Sequence, residues 1–329
     1  MKNKPIIIVS GEPYSVFLEI FFKIFKSNYF KKYKRPIVLI CSKKIIEMQM
    51  NKMNYSYKIN LIKKKQINNN RLDNKKINLI DVNLNFNKPF GKITNKSSKY
   101  IGNCFNVAIN IMKKKIGFAL INGPISKKDF LGKKYIGITE YLSKKINGKK
   151  NNEVMLIYNN KLSVCPITTH IPLKDVSKKI STKLIVNKII TINEFYRKKL
   201  KKKPKFAVTG LNPHCESNFK NSEEDKIIKP AIIKTQKKNI KVKGPYSADT
   251  LFIKENIKKF DVIIGMYHDQ VLTPLKTLYK FNAINITLGL PFIRISPDHG
   301  PNNQMLGEKK SDPSSLKEAL LFLKKINEN

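Results

Sequence analysis

The chain of 329 residues carries 65 Lys and Arg against 23 Asp and Glu, a formal charge of +42, with 41% hydrophobic residues. That length allows one large or two ordinary domains with proper cores, and the apolar content excludes a disordered polybasic tail. The charge admits two readings: a nucleic-acid partner whose phosphates the cations would neutralise, or a general drift of composition toward Lys, Asn and Ile.

In chain order, short apolar runs at 5–10, 36–42, 117–122, 154–158, 162–168, 206–210 and 261–266 predict buried strands. Amphipathic stretches at 16–32, 97–114, 174–201, 223–238 and 314–326 predict helices between and after them. The weakly periodic, Lys- and Asn-rich stretch 51–87 predicts surface structure with a strand or two. Strands punctuated by helices argue for an α/β protein with mostly parallel sheets and flanking helices. No repeat of 20–50 residues is visible, and no Gly/Ser/Pro linker marks a domain boundary. The apolar run 6–9 is too short for a signal-peptide core, and no run reaches the roughly 18–20 residues of a membrane span. Cys41, Cys104, Cys165 and Cys215 lie far apart without a CxxC pair, which argues against a zinc ribbon or a disulfide framework. The expectation is a cytoplasmic protein.

Charge is unevenly spread. Within 244–308, Lys254, Lys258, Lys259, Lys276, Lys280 and Arg294 are balanced by Asp249, Glu255, Asp261, Asp269, Asp298 and Glu308. Four arginines occur among all the lysines: Arg35, Arg71, Arg197 and Arg294. Of the four histidines, His170, His214 and His268 directly follow predicted strands, and His299 lies further on. Ligands gather at the carboxyl ends of strands in open α/β sheets, so three imidazoles there are candidates for a divalent metal with open positions. The plain alternative is three ordinary loop or cap histidines. Asp269 either orients His268 or caps the helix beginning near Gln270.

Several runs carry a more specific signal: Asn122-Gly-Pro-Ile-Ser-Lys127, Thr168-Thr-His-Ile-Pro-Leu-Lys-Asp-Val176, Gly210-Leu-Asn-Pro-His214 and Gly244-Pro-Tyr-Ser-Ala-Asp-Thr-Leu-Phe252. Met266-Tyr-His-Asp-Gln270, Asn285-Ile-Thr-Leu-Gly-Leu-Pro-Phe-Ile-Arg294, Ser296-Pro-Asp-His-Gly300 and Ser311-Asp-Pro-Ser-Ser315 continue the series. In this order, and over nearly the full chain, they resemble the 4-hydroxythreonine-4-phosphate dehydrogenase family of pyridoxal 5′-phosphate biosynthesis.

The resemblance implies a two-domain, isocitrate/isopropylmalate-dehydrogenase-like fold with the active site in the interdomain cleft. It implies intertwined domains of roughly 1–125 with 300–329, and 126–299. It implies a homodimer whose active site is shared, NAD (or NADP) as cofactor, and one divalent ion, Zn, Mg or Co, on His170, His214 and His268. Thr139, Lys276, Asn285 and Arg294 match substrate-contacting positions, with Asp249 and Asp269 in support. The region of Gly289, Leu290, Asp298 and His299 is the expected neighbourhood of the dinucleotide. The implied reaction oxidises 4-phosphohydroxy-L-threonine to a 3-oxo acid, which decarboxylates to 3-amino-2-oxopropyl phosphate. Arg and Lys suit a phosphate monoester, and Arg294 kept its identity where nearly every other basic residue is Lys.

Some positions depart from the family pattern. Its glycine-rich N-terminal run reads here Gly11-Glu12-Pro13-Tyr14-Ser15-Val16-Phe17-Leu18-Glu19, so the turn into the first helix is expected to differ or be strained. Ile138 replaces a substrate-contacting His, Pro301 follows Gly300 where the family has Thr, and the loop Cys215-Glu216-Ser217 is one residue short. Ile138 motivates an alternative, a related NAD-dependent enzyme acting on another phosphorylated or carboxylated hydroxy acid. An inactive homologue and a nucleic-acid-binding protein are further alternatives, the latter opposed by the neutral 244–308 window. On the enzyme reading, the +42 is surface drift that would still speed the arrival of an anionic substrate.

Overall fold

The structure is a computed structural model that describes residues 4–67, 72–132, 135, 137–148, 153–215, 221–280, 282–297 and 299–328. The chain forms two compact units: Met1–Asn151 with Leu290–Leu323, and Asn152–Gly289 with Lys324–Asn329.

The first unit contains strands β1 (Ile6–Val9), β2 (Ile37–Cys41), β3 (Ile59–Leu61), β4 (Ile77–Asp81) and β5 (Ala119–Asn122). The second contains β6 (Val154–Tyr158), β7 (Ser163–Pro166), β8 (Lys205–Thr209), β9 (Lys241–Tyr246), β10 (Val262–Gly265) and β11 (Ile284–Leu288). β12 (Ile293–Pro297) returns to the first unit.

In the first unit the strand order is β3-β4-β2-β1-β5-β12, and the pairings given by register are all parallel. Its central strands are mostly apolar runs buried on both faces, as a covered parallel sheet requires. The helix Lys96–Lys113 packs across β1, β2 and β5. The helix Phe17–Lys26 buries Phe17, Phe21 and Phe22, each worth about 1.5–3 kcal/mol of burial. The predicted helix at 16–32 is interrupted at Ser27, whose extended backbone and hydroxyl cap the short helix Asn28–Lys31 by accepting from Phe30 N.

In the second unit the order is β11-β6-β7-β10-β8-β9. β7, β10, β8 and β9 run parallel, while β6 and β11 are antiparallel. Met155, Ile157, Val164, Ala207, Ile263, Val271 and Leu275 belong to one apolar cluster beneath these strands. The helix His268–Tyr279 packs on β7 and β10, and Thr182–Lys199 packs on β6 and β11. The helix predicted over 174–201 breaks at Ile180, which is extended, and restarts after Ser181, which accepts from Leu184 N. The expected strands and their order in the chain are present, as are two strands in 51–87. β9, β11 and β12 lie outside the apolar runs that predict strands. β9 carries Gly244-Pro245 at the end of the sheet order, and β12 has an arginine and a proline in five residues, so neither shows a plain apolar run.

Among the described residues no helix is long and apolar enough to cross a membrane.

Candidate active site

Two groups of functional candidates emerge, one in each unit. In the second unit, four neighbouring parallel strands in the order β7-β10-β8-β9 each deliver a candidate residue just past their carboxyl ends. These are His170, His268, His214 and Asp249 respectively, the placement in which open α/β sheets present ligand-binding groups.

The turn after β7 is fixed to that after β10. Ile167 N donates to Gly265 O (2.7 Å), and Thr168 donates to Met266 O through both N (3.1 Å) and Oγ1 (2.8 Å). From the helix Thr182–Lys199, the buried Lys188 ammonium donates to the Pro166 and Ile167 carbonyls at 3.2 and 2.9 Å. These bonds carry His170 toward His268, and the two imidazole centroids lie 5.6 Å apart.

His268 opens the helix His268–Tyr279 after an extended Tyr267. Asp269 Oδ1 lies 2.7 Å from His268 Nδ1. A carboxylate accepts from an N–H, so this contact favours the Nδ1–H tautomer and leaves Nε2 as the donor atom. Asp269 therefore contacts His268 directly and also supplies the acidic first-turn residue of the helix.

Gln270 joins the ends of β10 and β8. Its Oε1 accepts from Met266 N (2.7 Å) and Thr209 Oγ1 (2.9 Å), and its Nε2 donates to Gly210 O (2.8 Å). His214 follows in an exposed turn with φ 58° and ψ 3°. Asp249 stands within electrostatic reach of it: the Ser247 hydroxyl and the Thr250 N–H, with the neighbouring His214, hold its carboxyl below the usual range. Among the described residues no three His, Cys, Asp or Glu side chains gather closely enough to hold a metal ion. The structure thus brings His170, His268 and Asp269 together, and places His214 beside Asp249.

Lys276 is exposed on the helix His268–Tyr279. Asn285 lies on β11 opposite Ile157, and its buried Oδ1 has no partner among the described residues. Gly289 has φ +84° and is exposed, and Leu290 is half-buried. His299 Nδ1 lies 3.0 Å from the Gly300 carbonyl, and Asp298 lies outside the described residues.

In the first unit the candidate group lies where β1 sits between β2 and β5. Gly123 N donates to Val9 O (2.7 Å), and Glu12 N donates to Pro124 O (2.9 Å). Gly11 has φ +79°, and a Cβ there would stand 2.3 Å from Pro124 O, so this approach requires glycine. Arg294 on β12 pairs with Leu120 of β5 and has no exposed surface. Its Nε donates to Asn122 Oδ1 (2.8 Å), and its Nη1 donates to Thr139 Oγ1 (3.4 Å). Burial pushes its pKa down to about 9, opposed by the Glu140 charge, so it stays a cation at neutral pH. Arg197, by contrast, is an exposed helix-end residue, and Arg35 lies 3.9 Å over the Phe118 ring. Thr139 is buried in the first turn of the helix Ile138–Asn147, and Ile138 beside it is half-buried.

Glu12 is also buried. Desolvation, aided by Asp129 and opposed by a hydrogen bond from Ser97, raises its pKa to about 7. The altered turn after it contains no left-handed residue between 12 and 18, so the strain expected from the lost glycines does not arise. Tyr14 stacks on Phe86 at 5.1 Å and donates to Lys88 O, and Pro301 O accepts from Val16 N. Glu216 and Ser217 of the shortened loop lie outside the described residues.

Lys188 gave no signal in the sequence, because it is one Lys among many. Gln270 ends the motif Met266-Tyr-His-Asp-Gln270, whose pattern points to His268 and Asp269 rather than to it.

The profile of the family described as Pyridoxal phosphate biosynthetic protein PdxA matches residues 32–323. A 4-hydroxythreonine-4-phosphate dehydrogenase from Sulfurihydrogenibium sp. is 41% identical over 257 residues, 76% of this chain and 77% of that protein. The protein of that name from Wigglesworthia glossinidia brevipalpis is 34% identical over 97% of this chain and 95% of its own length. The crystal structure of a 4-hydroxythreonine-4-phosphate dehydrogenase from Klebsiella pneumoniae superposes with a TM-score of 0.83 at 27% identity, covering 98% of this chain and 99% of that one. An isocitrate dehydrogenase from Methylococcus capsulatus shares the fold alone, at a TM-score of 0.50 and 9% identity, covering 98% of this chain and 86% of that one. The α/β architecture, the motif order and these likenesses agree: the chain belongs to the pyridoxal phosphate biosynthetic protein PdxA family.

Proposed function

We propose that the protein is a metal- and NAD-dependent 4-hydroxythreonine-4-phosphate dehydrogenase. It would oxidise 4-phosphohydroxy-L-threonine to a 3-oxo acid that loses CO2 to give 3-amino-2-oxopropyl phosphate. The observation that carries this reading is the pairing of His170 and His268 past two adjacent parallel strands, in a chain of this family.

The residues present fit a divalent cation. His268 keeps Nε2 as a donor because Nδ1 faces Asp269, and His170 is exposed beside it. On this reading His170, His214 and His268 hold the ion, with donors drawn from both subunits of a homodimer. Imidazole donors accommodate Zn or Co and bind Mg more weakly. When bound, the ion supplies Lewis acidity at the reacting hydroxyl and the nicotinamide supplies the hydride acceptor.

The chain's own groups bind and orient. Arg294 is a fixed cation, with Nε tied to Asn122 and Nη1 directed at the Thr139 hydroxyl. Thr139, Arg294, Lys276 and Asn285 are proposed to bind the phosphorylated substrate, and the unpartnered Asn285 Oδ1 is a ready acceptor. The dinucleotide, NAD or NADP, is proposed near Gly289, Leu290, Asp298 and His299. The protein is proposed to work in the cytoplasm, where its free thiols persist.

The test is an assay of purified protein with NAD, a divalent ion and 4-phosphohydroxy-L-threonine. The expected result is NADH formation that a chelator removes and that His214→Ala abolishes. No NADH from this substrate, with turnover of phosphoerythronate or phosphothreonate, would instead support a relative acting on another hydroxy acid, with Ile138 as the altered contact.

A further inference from the structure

We propose that the buried carboxylate of Glu224 is a positioning residue for His214: it holds the turn that presents this imidazole in its left-handed form, and so pre-forms one donor of the metal site. This rests on the reading of His214 as a metal ligand.

His214 and Cys215 both have φ 58°, two consecutive non-glycine residues in the left-handed region. Such a pair persists only where surrounding contacts over-determine it. Glu224, at 1% exposure, anchors the residues leading into this pair from the one-turn helix Glu224–Ile228. Its Oε1 accepts from Leu211 N (2.7 Å) and Asn212 N (2.9 Å), and its Oε2 accepts from Asn212 Nδ2 (2.9 Å). The exposed end of the turn is thereby fixed from inside, two residues before His214. The carboxylate also occupies space that the preceding residue leaves open. A Cβ on Gly210 would stand 3.0 Å from Glu224 Oε1 and 2.6 Å from Cys215 Sγ. Gln270 fixes the start of the same turn through Gly210 O. A buried carboxylate directed at the N–H groups of one surface turn has a desolvation cost that a polar surface residue would not, and here it sets the geometry of that turn.

The test is cobalt(II) binding by the full-length protein, followed by visible absorption and calorimetry, beside thermal unfolding of the metal-free form. Glu224→Ala is expected to weaken cobalt binding about 10–100-fold, as loss of a ligand-orienting partner does. Glu224→Gln keeps an amide oxygen for the two backbone N–H groups and is expected to restore most of that affinity. Glu224→Asp keeps the charge but draws the oxygens back by one methylene from Leu211 N and Asn212 N, and is expected to weaken binding as well, which carries the test if Glu224→Ala does not fold. Unchanged cobalt affinity in whichever of these two variants folds, with only a lowered unfolding temperature, would overturn the proposal. His214→Ala separates the two layers. If it leaves cobalt affinity intact, the metal-ligand reading fails. If it weakens binding while the folded Glu224→Ala or Glu224→Asp variant does not, the positioning role alone fails.

Discussion

Arg294 is wholly enclosed, whereas His170 and His214 stand at the surface, and the contrast follows from where each sits on its sheet. Arg294 is a strand residue between apolar neighbours, and its charge is supported by Asn122 and Thr139, which each take an N–H group, and by the Glu140 charge. The histidines lie beyond strand ends, where the backbone turns into solvent. What is buried beneath them is the supporting set: Lys188, Thr168 and Glu224. In the first region the proposed functional group and the structural group are the same residue. In the second they are different residues, so function and stability should separate under mutation.

Arg294→Ala gives the largest expected effect. It strands Asn122 Oδ1 in the core and leaves a cavity, so unfolding in denaturant should show a loss of about 3–5 kcal/mol along with loss of turnover. A loss below about 1 kcal/mol, the size of one ordinary hydrogen bond, would show that this region is not held by the guanidinium.

Glu12 adds a pH signature to the same unit. Its pKa is about 7 in the fold against an ordinary 4.5, so the native state binds its proton more tightly than the unfolded chain. Its contribution is fully present below pH 4.5 and is lost as pH rises through 7, by about 3 kcal/mol as an order of magnitude. Equilibrium unfolding at pH 5 and pH 8 should show this decline, and Glu12→Gln should flatten it. An unchanged decline in the variant would place its origin elsewhere.

The sequence made the two regions unequally legible. Runs such as IIIV at β1 and VIIG at β10 announce buried strands, because parallel strands covered on both faces need continuous apolar residues. Those runs also located the histidines, since each follows one directly. Arg294 was legible by rarity, but its complete burial was not, because IRISP lacks the apolar run that marks a covered strand. Lys188 and Glu224 were invisible for a related reason. Their importance comes from reaching the backbone of a segment at least 12 residues away, and Lys and Glu on a helix ordinarily mean a solvated face. Ser27 and Ile180-Ser181 broke predicted helices because a capping hydroxyl overrode a periodicity that continued past it.

Asp269→Asn probes the intermediate case, an exposed group acting on a half-buried proposed ligand. Asn can still accept from His268 Nδ1–H but loses the charge. The expected weakening of cobalt binding is about tenfold, at the lower end for ligand-orienting partners. Equal loss in Asp269→Asn and Asp269→Ala would show that charge, rather than the hydrogen bond, sets the effect.

The smallest expected change sharpens the comparison most. His170→Ala removes an exposed ring whose turn is held by Thr168 and Lys188 through main-chain carbonyls, bonds that do not involve the imidazole. Stability of the metal-free protein should therefore stay within about 0.5 kcal/mol of the parent, as for ordinary surface positions, while metal binding is lost. Lys188→Met should do the reverse in part: the Pro166 and Ile167 carbonyls lose their donor, so unfolding shifts while both imidazoles remain. If His170→Ala destabilised the metal-free protein as much as Lys188→Met, the histidine edge would be a structural element like the Arg294 region. The separation of ligand from support would then be wrong for β7, whatever it proved to be for β8.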